Sequence, residues 1–105
     1  MSHQSASHCG IAVVKDRLDV LRLLTQPEIA ALPERTDSEV LVDGKLHRLI
    51  VWHERSPSNE EWVVVQLIRP LILASFKLVY GEGFAVDSEG QRRDLTKAEV
   101  DDFTA

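Results

Sequence analysis

The sequence predicts a single α+β domain with a helical arm, an antiparallel sheet of four or five strands and a short C-terminal helix, at about residues 16–32, 38–93 and 97–103. Three observations support this fold class. Apolar residues recur with helical spacing in the first third of the chain and alternate with a period of two after Asp37. The pair Asp43-Gly44 is typical of a tight hairpin turn. Thr96-x-x-Glu99 is a capping box that would open the last helix.

The predicted helical arm consists of two short helices. Asp16 is the expected N-cap of the first helix, whose apolar stripe is formed by Leu18, Leu21 and Leu24. The second helix would start at the capping box of Thr25 and Glu28, with Pro27 in its first turn. The break between them indicates a bent arm rather than one long helix.

The N-terminal residues 1–10 are small and polar, so we expect a flexible tail ahead of one domain over residues 11–105. The tail contains three potential metal ligands, His3, His8 and Cys9. Ordering an unstructured segment around a metal ion costs conformational entropy. We therefore predict no metal site there.

Two consecutive hairpins are predicted for the first three strands. A type I′ turn at Asp43-Gly44 places His47 opposite Val40. The next strand, residues 62–69, follows a turn over residues 56–59. A four-residue turn would place His53 opposite Trp62 and Glu54 opposite Glu61.

The remaining segments are less strongly patterned. The alternation over residues 71–80 favours a strand over a helix but does not exclude the helix. A turn over residues 87–90 should return the chain along residues 91–93.

The predicted sheet is apolar on both faces, which an antiparallel sheet with one solvated face would not be. The helices have enough apolar surface to cover one face. The other face would then be an exposed patch, a pocket floor or a subunit interface, unless the arm packs across it as ordinary core. In the predicted register this face carries a candidate ligand-binding or interface set of His47, His53, Trp62, Val64 and Gln66.

The segment 52–62, WHERSPSNEEW, also suggests a catalytic alternative. His53 would act as the acid or base, supported by Glu61 or Glu54, over a pocket walled by Trp62. The simpler interpretation is a hairpin whose charges are solvated and whose tryptophans hold the register, and we favour it.

A third possibility is a weak anion site. The predicted register brings Arg48 and Arg69 to one face, although ion pairing with the acidic last helix explains these arginines equally well.

Composition narrows the class of partner. The formal net charge is −5, which argues against nucleic acid as a main partner. The single cysteine excludes an internal disulfide, the N-terminus does not resemble a signal peptide, and the apolar runs are too short to span a membrane. We therefore expect a cytoplasmic protein with neither a membrane nor a nucleic-acid partner.

Phosphate-loop, dinucleotide and nucleophile-elbow motifs are absent from the sequence, so no cofactor is predicted. The expected function is a binding or protein-interaction module that forms a homodimer through its sheet, and the alternative is a small cofactor-free enzyme. A small-molecule or protein ligand is a further possibility.

Overall fold

The structure is a computed structural model, in which the backbone is described for residues 2–103 and the side chains for residues 9–103. It confirms the α+β class. The helices are α1 (Ser2–Arg22), α2 (Gln26–Ala30) and α3 (Lys97–Asp101). The strands are β1 (Arg35–Val42), β2 (Lys45–Arg55), β3 (Glu61–Pro70), β4 (Phe76–Val86) and β5 (Arg92–Asp94). All five strands pair antiparallel in the order of the chain.

Helix α1 begins at Ser2, so the predicted start at Asp16 is wrong, and the helix includes residues 2–10, where we expected a tail. The apolar stripe simply continues toward the N-terminus. Its buried members are Gly10, Val14, Leu18 and Leu21. A Cβ atom at Gly10 would lie 3.1 Å from Leu67 Cδ2, so glycine lets the helix approach the sheet closely. The side chains of His3 and His8 lie outside the described residues.

Helix α2 has the predicted capping box. The hydroxyl oxygen of Thr25 accepts from the Glu28 backbone N–H, and the Glu28 carboxylate accepts from the Thr25 backbone N–H. This reciprocal pair satisfies two backbone donors that would otherwise lack partners. The helix then buries Ile29 completely against the core.

The β1–β2 hairpin has the predicted register. Asp43 and Gly44 have φ angles of 53° and 76°, as a type I′ turn requires, and Val40 lies opposite His47. Strand β1 starts at Arg35, a few residues earlier than the periodicity indicated.

The β2–β3 hairpin differs from the prediction by one residue. Arg55 pairs with Glu61, so His53 lies opposite Val63 and Glu54 opposite Trp62. The loop includes Glu60, because the Ser56 N–H donates to the Glu60 carbonyl at 2.8 Å and Asn59 takes a left-handed conformation with φ 69°. A shift of one residue moves every β3 side chain to the opposite face of the sheet.

The segment 71–80 is divided between a loop and a strand. Strand β4 begins at Phe76, which confirms the strand for the second half of the segment, whereas residues 71–75 form the loop of the β3–β4 hairpin. The strand also bends, since a register shift between Leu67 and Ile68 leaves Val79 as an extra residue.

The sheet has a helix face, covered by α1 and α2, and a second face, partly covered by α3. The helix-face core includes residues of β2, β3 and β4, among them Leu49, Val51, Val63, Val65, Leu67 and Phe84. A smaller core on the second face contains Val64, Ala85, Leu95 and Val100. Side chains alternate between the two faces along each strand. The observed register therefore assigns each remaining side chain of the sheet to one of these faces.

Helix α3 is opened by the predicted capping box of Thr96 and Glu99. Leu95 and Val100, which flank that cap, are both buried. A Cβ at Gly83 would lie 2.5 Å from the Val63 carbonyl oxygen, so only glycine permits this close passage beside Leu95. The Leu95 N–H donates to the Gly83 carbonyl at 3.0 Å and holds the chain there.

Candidate functional site

A cleft of about 720 Å³ lies where α2, the β2–β3 hairpin and the end of α3 meet. It combines an aromatic wall with several carboxylates. The residues that line it are Ala30, Glu34, Trp52, His53, Glu54, Arg55, Glu61, Asp102 and Phe103. It includes all three of the catalytic candidates that the sequence suggested.

His53 and Glu61 are in direct contact in this cleft. The His53 Nε2 atom lies 2.6 Å from Glu61 Oε1, and the Arg55 Nε–H donates to Glu61 Oε2 at 2.8 Å. The histidine and carboxylate side chains are only 10% and 8% exposed. The observed register makes this contact possible, because it places Glu61 and His53 on the same face of the sheet.

The hydrogen bonds of His53 leave no ring nitrogen free. Its Nδ1 atom lies 3.0 Å from the Leu32 carbonyl oxygen, which can only accept, so Nδ1 carries a proton. Its Nε2 atom is occupied by Glu61 Oε1, and the other oxygen of that carboxylate accepts from Arg55. A general acid or base needs a nitrogen within reach of a substrate. The arrangement therefore resembles a structural ion pair more closely than a catalytic one.

The structure does not bring the predicted ligand-binding set together. His47 and His53 lie on the helix face, whereas Trp62, Val64 and Gln66 lie on the second face. The prediction placed them together because its β3 register was wrong by one residue. Trp62 does not wall the cleft, and Trp52 takes that position. Glu54 is exposed and lies opposite Trp62, away from the ring nitrogens of His53.

Several members of the set have structural contacts. Gln66 is buried, accepts from the Trp52 indole N–H at 2.9 Å, and donates to the Phe103 carbonyl at 2.8 Å. It thereby ties the end of the chain to the sheet. His47 is buried with Nδ1 2.9 Å from the Lys45 carbonyl, and Val64 is part of the second-face core.

The predicted convergence of Arg48 and Arg69 is not observed. Arg48 lies opposite Ile68, and Arg69 lies opposite Lys77 on the other face. The arginine that pairs with the last helix is instead Arg93.

Arg93 links three elements near the cleft. Its guanidinium donates to the Glu60 and Glu99 carboxylates at 3.0 and 3.1 Å and lies 5.9 Å from the Trp62 ring centre. The hydrogen bonds from Arg93, together with the Thr96 backbone N–H, lower the pKa of Glu99 to about 2. Hydrogen bonds from Arg93 and Trp62 also lower the pKa of Glu60.

A second candidate region lies at the opposite end of the sheet, which is the end that contains the tips of the β1–β2 and β3–β4 hairpins. We call residues 40–48 and 68–79 the apolar end. Of the ten large hydrophobic residues that are exposed among the described side chains, eight belong to it: Leu41, Leu46, Leu71, Ile72, Leu73, Phe76, Leu78 and Val79. The run Leu71-Ile-Leu73 after Pro70 was the available signal in the sequence, but it was interpreted as strand.

Comparisons with protein-family models, with curated proteins and with solved structures gave no match. Within the described part of the chain, no helix has the length and apolar character needed to cross a membrane. The functional argument therefore depends on the geometry of the two regions.

Proposed function

We propose that the protein is a binding module that forms a homodimer through the second face of its sheet. The observation that supports this proposal is an apolar strip that α3 leaves uncovered on that face, although Leu78 at its margin borders a cleft shared with α3. Its exposed members come from three strands and are Leu41, Leu46, Phe76 and Leu78.

The strip has the features of an interface between copies. Cross-strand pairing places Leu41 beside Leu46, and the buried Ile50 and Ile68 form a floor beneath them. Removing such a contiguous apolar surface from water favours association. A sheet surface is also flat enough to meet an identical surface around a two-fold axis.

The charged residues beside the strip are complementary. Glu39 lies opposite Arg48 on the same face, and within residues 9–103 neither has an ion-pair partner within 4 Å. In a two-fold arrangement Arg48 of one copy can face Glu39 of the other. Such pairing would set the register of the dimer rather than supply most of its affinity.

The catalytic alternative is less well supported. The cleft beside His53 is deep enough for a small molecule, but both ring nitrogens are engaged within the protein. A cytoplasmic location belongs to the binding proposal, since the only cysteine is free and exposed.

Light scattering at micromolar concentration tests the dimer. We expect a mass near twice that of the 11.8 kDa chain, and a monomeric mass for Leu46→Glu. The matched control is Leu23→Glu, because Leu23 is highly exposed but lies outside the strip. A monomeric unmodified protein would overturn the proposal, as would equal dissociation of both variants.

A further inference from the structure

We propose that the tip of the β3–β4 hairpin, residues 69–77, inserts into the surface of an anionic lipid bilayer. Apart from Phe76, which belongs to both surfaces, the tip lies outside the strip on the second face that we assign to self-association. It rests on the exposure, the backbone conformation and the charge of the tip.

The tip presents its apolar side chains to water. Ile72 and Leu73 are 84% and 93% exposed, and Leu71 and Phe76 are also exposed. The loop backbone is nevertheless held in place, because the Leu71 N–H donates to the Ser75 carbonyl at 2.8 Å and the Ser75 hydroxyl donates to the Ile72 carbonyl at 2.7 Å. The loop is thus a defined convex projection with an apolar surface.

The backbone at this tip has a conformation that leucine rarely adopts. Leu73 and Ala74 have φ angles of 62° and 61°, in the left-handed region that favours glycine or asparagine. A leucine at position 73 is therefore unfavourable both for its conformation and for its contact with water. Burial of the side chain in an apolar medium removes the second of these costs.

The charges around the tip complement an anionic surface. Arg69 and Lys77 lie opposite each other at its base, and no described carboxylate is within 4 Å of either. The sequence contains no Asp or Glu between Trp62 and Gly81. Cations beside an inserted apolar segment can reach lipid phosphates while their aliphatic stems remain in the interface.

The charge of the whole chain is distributed unequally. The apolar end contains Lys45, Arg48, Arg69, Lys77 and Asp43, a sum of +3. With a chain total of −5, the remaining residues carry −5 − 3 = −8. A molecule with this asymmetry turns its positive end toward a negative surface, such as the cytoplasmic leaflet of a membrane.

A second copy of the chain fits the tip less well than a bilayer does. Tip-to-tip contact would bring the arginine and lysine of both copies together, and residues 69–77 contain no acidic residue to separate them. A bilayer accepts a convex apolar tip without a matching groove, and it supplies phosphates for the cations. The bilayer is therefore the occupant that we propose.

Sedimentation with vesicles tests the proposal. We expect the unmodified protein to bind vesicles of phosphatidylcholine with about 30% phosphatidylserine, to bind pure phosphatidylcholine much more weakly, and to lose binding as salt increases. The double variant Ile72→Ser/Leu73→Ser should reduce the partition coefficient about tenfold or more, since it removes most of the inserted apolar surface. Arg69→Gln/Lys77→Gln should remove the preference for the anionic lipid.

The control variant is Leu23→Ser, which removes a leucine as exposed as Ile72 from the C-terminal side of α1, and it should bind vesicles normally. Absence of vesicle binding by the unmodified protein would overturn the inference and leave a protein partner as the occupant. A change in solution mass caused by Ile72→Ser/Leu73→Ser would also overturn it, since the tip would then be a self-association surface. If the unmodified protein is monomeric but still binds vesicles, only the proposed function is contradicted.

Discussion

The charged surface groups have partners within the protein at one end of the sheet and lack them at the other end. At the cleft end, where β2 joins β3, Glu61 holds both His53 and Arg55, and Arg93 joins Glu60 to Glu99. At the apolar end the cations have no ion-pair partners among the described residues, and most of the exposed large hydrophobic side chains are collected there. The cleft end is built to hold the chain together, whereas the apolar end leaves surface available for another molecule.

This difference indicates where function should be sought. A cleft with a buried histidine and a buried carboxylate has the groups that an active site would need. These groups, however, already bond to each other and to the backbone. The apolar end borders a smaller cleft, of about 420 Å³, at Leu78 and Val79, but its exposed apolar side chains are costly for a monomer in water. Substitutions at the cleft end should therefore change stability, and substitutions at the apolar end should change association.

The largest expected effect is at Glu61. Replacement by alanine leaves the buried His53 Nε2 without its partner, and we expect the free energy of unfolding to fall by about 3 kcal/mol. Urea denaturation measures this change in the free energy of unfolding. The control is Glu54→Ala, which alters an exposed neighbouring carboxylate and should change stability by less than about 0.5 kcal/mol. Equal effects of the two substitutions would show that the ion pair is not structural.

Phe103→Ala tests whether the end of the chain is part of the core at the cleft end. The Phe103 ring centre lies 5.9 Å from that of Trp52 and 6.3 Å from that of Trp62. Because the ring is only partly buried, we expect a loss of about 2 kcal/mol, less than for a fully buried phenylalanine. Tryptophan fluorescence should shift toward that of exposed indole. An unchanged emission spectrum would contradict the packing of α3 described above.

At the apolar end, Leu73→Asn should increase stability while it removes an exposed apolar side chain. Asparagine tolerates the left-handed conformation, so we expect a gain of about 1 kcal/mol in the free energy of unfolding. Leu73→Ala is the matched control, since it removes the side chain but retains the strain. If Leu73→Asn is destabilising by thermal unfolding, the side chain has packing contacts that its exposure does not indicate.

The smallest effect concerns acid pH at the cleft end. The bonds from Arg93 and Thr96 lower the folded-state pKa of Glu99 to about 2, from an ordinary value of 4.5. The stabilisation of the fold by ionised Glu99 is therefore present above pH 4.5 and is lost as the pH falls toward 2. Over this range the melting temperature of Glu99→Gln should fall less steeply than that of the unmodified protein. Parallel curves would show that these bonds do not stabilise the fold.

The elements that could be predicted from the amino-acid sequence are those whose cause is local. The capping boxes of Thr25 and Thr96 and the Asp43-Gly44 turn are each satisfied by groups within four residues. The opposition of Val40 and His47 follows from that turn alone. The fold class and the approximate extent of the sheet are predictable for the same reason, since periodicity shows which face of each element is buried.

The register of β3, and with it the composition of both candidate regions, depends on contacts between segments that are distant in the sequence. A four-residue and a five-residue loop are both compatible with the segment around Asn59. The longer loop brings Glu61 to His53, and that contact forms only after the strands meet. The close packing of α1 on the sheet likewise depends on Gly10 meeting Leu67, far away in the chain. The apolar end arises because the order of the strands places two separate hairpin tips at one end of the sheet, and no local pattern encodes that order.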